Sequence, residues 1–108
     1  MEIRIRWSPK AIYQLREIFD YYQANASTTV AESIITTILS RTRNLNFFPN
    51  MGKREEILLD HPKGFRYLVE GNYKILYWFN EDEIIIAFVI DCRQNPDKII
   101  DIIAKTSE

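Results

Sequence analysis

Residues Ile84 to Ile90, read as IIIAFVI, constrain this chain more than any other stretch. They are apolar without alternation. A strand built from them needs cover on both faces and a place inside a sheet rather than at its edge. The stretches on either side say which sheet. Phe65, Tyr67 and Val69 alternate with Arg66, Leu68 and Glu70, the period of a strand with one buried face. Gly71-Asn72 follows, with glycine at the position where a two-residue hairpin turn needs a positive φ. The return limb Tyr73 to Phe79 is aromatic and β-branched, and Asn80-Glu81-Asp82 turns the chain again into the apolar run. The run ends at Asp91-Cys92-Arg93-Gln94-Asn95-Pro96, where proline removes a donor. The whole is an antiparallel meander that the rest of the chain has to cover.

The cover comes from the N-terminal half. Ile3, Ile5 and Trp7 alternate with Arg4 and Arg6, starting at Glu2, and read as the first strand. Ser8-Pro9 is a helix start, with serine as N-cap and proline in the first turn. Ile12, Leu15, Phe19 and Tyr22, with Ala11 and Ile18 alongside, carry the apolar stripe of a helix running to about Ala24. Thr29 and Glu32 have capping-box spacing and open a second helix. Its β-branched centre imitates a strand, but apolar positions keep helical spacing from Ala31 to Phe47, and Pro49 stops it. Residues 49–63, including the patch Ile57-Leu58-Leu59, are expected to be loop with at most a short strand or turn.

After Pro96, Ile99 and Ile103 stand four apart with Ile100 and Ile102 beside them. This segment is either a short amphipathic helix or an apolar tail that needs a partner to hide it. The expected architecture is a two-layer α+β domain in the order β-α-α-β-β-β, spanning residues 1–108. A helical hairpin packs on an antiparallel sheet, and the apolar run lies between the preceding strand and the N-terminal strand.

Composition excludes several functions. A chain of 108 residues supports one core. A net charge of −1 lacks the basic excess with which phosphate-gripping domains release counterions. Cys92 is the sole cysteine and His61 the sole histidine, so an internal disulfide is excluded and a Cys/His metal site lacks ligands. No cofactor is expected. With no apolar leader after Met1 and no membrane-length run, the cytoplasm is the expected compartment.

No local catalytic motif occurs. His61, beside Pro62, reads as a solvated loop residue and Cys92 as a small packed one. Arg66 and Lys74 lie on opposite limbs of the hairpin, and Arg93 lies beyond the last strand. On an open sheet face these cations could receive an anionic partner. As exposed strand charges in surface pairs they would contribute little.

These elements resemble the RelE/ParE toxins of bacterial type II toxin–antitoxin modules. The segment Arg66-Tyr67-Leu68-Val69-Glu70-Gly71-Asn72-Tyr73-Lys74-Ile75-Leu76-Tyr77 is similar to the hairpin of the ParE-like branch. Ser8-Pro9, Phe48-Pro49 with Gly52, and the Arg93-Gln94-Asn95-Pro96 end fit the same pattern. The resemblance implies a protein neutralised by a cognate antitoxin that packs over it as helix or extended chain. Ile12, Phe19, Tyr22, Ile99 and Ile103 are the expected contacts. It further implies DNA gyrase as target for the ParE-like branch, without established catalytic residues. For the RelE-like branch it implies ribosome-dependent mRNA cleavage by lysines and arginines on the open sheet face. Arg66, Lys74 and Arg93 are the candidates for that role. The chain departs from the nuclease pattern, since Phe65 and Tyr67 flank Arg66 and no tyrosine follows Arg93. A module that keeps the fold and the antitoxin surface without toxicity is a third possibility.

Overall fold

The computed structural model describes residues 3–58, 60–93 and 96–105. Glu2, Leu59, Gln94 and Asn95, which figured in the reading above, lie outside them. The element order is β1 (Arg4–Trp7), α1 (Pro9–Asn25), α2 (Thr28–Thr42), β2 (Lys53–Arg54), β3 (Arg66–Glu70), β4 (Tyr73–Phe79), β5 (Glu83–Asp91) and α3 (Pro96–Ala104). The five strands form one sheet in the order β1-β5-β4-β3-β2. The apolar run is therefore interior, between β4 and β1 as expected. Gly71 supplies its positive φ of 59° at the β3–β4 turn.

The sheet is mixed rather than wholly antiparallel, because β1 runs parallel to β5 with Ile5 opposite Ile84. The β4–β5 ladder slips once, pairing Leu76 with Phe88 but Tyr77 with Ile86, so Ala87 is an extra residue on β5. This bulge shifts the phase of β5. Ile84, Ile86 and Val89 face the helices, while Phe88 and Ile90 face the other way. Every residue from Ile84 to Ile90 is buried.

On the helical face, Ala11, Ile18, Ile38 and Leu45 pack on Leu68, Ile75, Tyr77 and Ile86. Ser8 caps α1 as read, its Oγ accepting from the Ala11 N–H at 3.0 Å. The second cap falls at Ser27, not at Thr29: extended backbone there lets its Oγ accept from the Val30 N–H at 3.1 Å. α2 ends at Thr42, and a 3-10 turn over Arg43–Asn46 carries the chain on toward Phe47. The tail is the amphipathic helix of the two alternatives. α3 and a 3-10 turn at Glu56–Leu58 lie over the second face, where Leu58 and Ile103 cover Phe65, Leu76, Phe88 and Ile90. That face is less open than the sequence suggested.

α1 also completes the sheet beyond the end of β1. The buried Ser8 hydroxyl donates to the Ala87 carbonyl at 2.8 Å, and buried Gln14 accepts from the Val89 N–H at 2.7 Å. Helix side chains thus satisfy β5 where it has run past its neighbouring strand.

Candidate functional site

The three candidate cations do not converge. In the β3–β4 register Arg66 pairs with Tyr77 and Val69 with Lys74. Strand alternation then puts Arg66 on the helical face and Lys74 on the other. Each cation has an internal acceptor. Arg66 Nη1 donates to the Gly52 carbonyl at 2.9 Å and reaches Asn50 at 3.5 Å. Lys74 Nζ stands 2.8 Å from the carboxylate of buried Glu55 and over the Tyr67 ring, 4.4 Å from its centroid. Arg93, exposed beyond β5, forms a two-point contact with Asp91 at 2.9 and 2.6 Å. Its side-chain hydrogen bond holds the Asp91 carboxyl below the usual range, and the same bond holds the Arg93 guanidinium firmly protonated.

Arg66 belongs to an anchor that holds the 49–52 segment on the sheet. The fully buried Tyr77 hydroxyl donates to the Pro49 carbonyl at 2.7 Å and accepts from the Gly52 N–H at 2.9 Å. Burial raises the pKa of this phenol above its ordinary value. A Cβ on Gly52 would lie 2.6 Å from the Tyr77 oxygen and 2.8 Å from the Tyr67 carbonyl, so no side chain fits there.

The surfaces around α1 differ in character. A groove of about 200 Å³ runs between the helical hairpin and the β3–β4 turn, lined by Tyr22, Ile34, Thr37, Ile38, Gly71 and Tyr73. The Tyr22 and Tyr73 hydroxyls meet at 3.3 Å in its wall. Burial, and after it the Tyr22 hydroxyl, raises Tyr73 well above the tyrosine range, so the Tyr73 phenol stays neutral. Across α1 lies a cleft of about 490 Å³ with Lys10, Glu17, Tyr21, Asp91 and Arg93 on its walls.

Of the expected partner contacts, Ile12 is 56% exposed, whereas Phe19 and Tyr22 are half-buried. Ile103 is buried in the second core cluster. Ile99 falls within α3, and its side chain lies outside the described groups. Phe47 and Phe48 are the larger exposed apolar pair, at 59% and 64%. The periodicity places Phe47 at the end of the second helix and gives no sign of this exposure. His61 accepts from the Lys63 N–H through Nδ1 at 3.2 Å and lies edge-on to Phe65. It serves the loop that leads into β3. Cys92 is exposed, not packed: it lies just beyond β5, with its N–H donating to the Asn72 carbonyl at 2.7 Å. Among the described residues no group of acidic, histidine or cysteine side chains is placed to hold a metal, and no helix is long and apolar enough to cross a membrane.

Residues 5–96 match a protein family described as the ParE toxin of the type II toxin–antitoxin system parDE. A chain of the solved chromosomal ParDE TA system from P. aeruginosa aligns with a TM-score of 0.69 at 20% identity, covering 83% of this chain and 96% of that one. At that identity the likeness is one of fold. No curated protein sequence matches significantly.

Proposed function

The chain belongs to the ParE toxin family of type II toxin–antitoxin systems, and from that premise we propose that it inhibits DNA gyrase and is neutralised by a cognate antitoxin. The family match over residues 5–96 carries the reading. The fate of the cations favours it over mRNA cleavage. A nuclease without an acid–base pair needs cations aimed together at one scissile phosphate. Here Arg66 holds a loop, Lys74 is committed to Glu55 on the opposite face, and Arg93 is committed to Asp91. A protein that acts by occupying a surface has no such requirement.

The antitoxin is proposed to lie along the groove beside the helical hairpin, with Tyr22 in its wall and Ile12 and Phe19 on the flank of α1. Ile103, buried on the opposite face of the sheet, is not part of this contact. The cytoplasm, where gyrase and DNA are found, is the proposed compartment.

A supercoiling assay tests the proposal. Purified chain is expected to block gyrase supercoiling or trap cleaved DNA with the enzyme, and the small protein encoded beside it is expected to relieve the block. Uninhibited gyrase at micromolar toxin would refute the target. A chain harmless on expression would point to a binding module that has lost toxicity.

A further inference from the structure

Residues 33–54 carry four cations, Arg41, Arg43, Lys53 and Arg54, and no acid, in a chain whose acids outnumber its cations by 15 to 14. The fold brings part of this run to a cleft of about 250 Å³, lined by Arg41 of α2, Met51, Lys53 of β2, and Tyr67 and Val69 of β3. Arg41 Nε donates to the Val69 carbonyl at 3.4 Å, and Lys53 pairs with Tyr67. None of the four cations has an acidic partner among the described residues. Glu55, next in the chain, is held by Lys74, and Glu70 lines the groove beside the helical hairpin. Apolar side chains stand among these charges. Phe47, Phe48, Met51 and Val69 are all exposed. The Met51 N–H donates to the Phe48 carbonyl at 3.1 Å, in a 3-10 turn that keeps the two residues together.

We propose that this surface is where the chain docks on gyrase, against an acidic protein surface with apolar side chains at its centre. The proposal rests on the reading that gyrase is the target. It places that contact at the end of α2 and the turn that follows, away from the groove given to the antitoxin.

The side chains specify the occupant. Aromatic residues, Met and Arg are the types enriched where proteins meet, and they are the types found here. Nucleic-acid backbone is gripped by the cations alone, which would leave two exposed phenylalanines without a role on a duplex. Four cations without acids call for acidic groups on the partner. The same charges disfavour a second copy of this chain, because two-fold pairing of the surface with itself sets cation against cation. The antitoxin groove uses Ile34, Thr37 and Ile38 of α2, with Glu70 and Gly71. It adjoins this surface at Val69 and Glu70, so a segment bound there crowds the approach of the target.

The concentration of purified chain that half-inhibits gyrase supercoiling, measured beside its affinity for the cognate antitoxin, tests this. The double variant Phe47→Ala, Phe48→Ala should raise that concentration at least about thirtyfold. Arg43→Glu should raise it about three- to tenfold, and more at low salt than at high. All three side chains are exposed, so thermal unfolding should not change. Antitoxin affinity should stay within about twofold of wild type. Variants that inhibit as well as wild type overturn the docking surface and leave gyrase as the target. Variants that lose the antitoxin while still inhibiting gyrase overturn the choice of occupant. So does a free dimer that the double variant splits, or duplex DNA bound by the chain alone and released by Arg43→Glu. A wild-type chain that leaves gyrase active overturns both readings.

Discussion

On one face of the sheet, helices of 17 and 15 residues lie over Leu68, Ile75, Tyr77 and Ile86. On the other, a helix of 9 residues and one 3-10 turn cover Phe65, Leu76, Phe88 and Ile90. The first face is closed by long amphipathic elements that read directly from their periodicity. The second is closed by short pieces that polar and cationic contacts hold down. Glu55 accepts Lys74, and the Lys63 ammonium stands over the Trp78 ring, 4.8 Å from its centroid. Short elements cannot hold themselves in place. On that face Lys74 and Lys63 are engaged in contacts with the elements that cover it.

The comparison breaks most readily at Phe88, which is 1% exposed. Phe88→Ala should cost about 3–5 kcal/mol in denaturant unfolding, close to the loss of about 2–5 kcal/mol expected for Ile38→Ala on the helical face. A loss below about 1 kcal/mol at Phe88, with Ile38→Ala still costly, would mean that the second face stands open in solution. Next comes the latch. Lys74→Met leaves the Glu55 carboxylate buried without its cation and should cost about 2–3 kcal/mol. Most of that should be recovered in the double variant with Glu55→Gln, a coupling that a double-mutant cycle measures.

Smaller again is Tyr77→Phe, which strands the Pro49 carbonyl and the Gly52 N–H and should cost about 1–2 kcal/mol. It leaves the second face untouched, so protection of α3 amides should not change. The smallest effect is that of Asp91. Its pKa is lowered in the folded chain, so its pair with Arg93 contributes above the ordinary carboxylate value of 3.8. The contribution fades as pH falls through the depressed folded value. The stability difference between wild type and Asp91→Asn should be present at neutral pH and gone at the acid limit. A difference that grows toward acid would contradict this pairing.

How far the sequence revealed this follows the same division. The interior position of Ile84 to Ile90, the Gly71 turn and the Ser8 cap all rest on neighbours in the chain, and all were legible. The parallel run of β1 beside β5 was not, because strand pairing across 79 residues leaves no local mark. A short strand or turn is expected within residues 49–63, but two residues show no period, so neither the place of β2 at Lys53–Arg54 nor its pairing with β3 could be read. At Gln14 a signal was there to be read: a polar residue three after Ala11 and four before Ile18, inside an apolar stripe. Such a residue needs a buried partner, and the Val89 N–H is that partner. At the candidate site, the sequence shows three cations and nothing about their acceptors. Glu55 and Asp91, which decide what Lys74 and Arg93 can do, became partners only through the fold.

The central proposal is that Arg66, Lys74 and Arg93 serve the fold and form no nuclease site. Mapping the 5′ ends of ribosome-bound mRNA after incubation with purified chain tests it most directly. The account predicts a pattern identical to that of ribosomes without toxin, for wild type and for each of Arg66→Ala, Lys74→Ala and Arg93→Ala. Codon-positioned cuts made by the wild type and lost in Arg93→Ala would contradict it and turn the three cations into an active site.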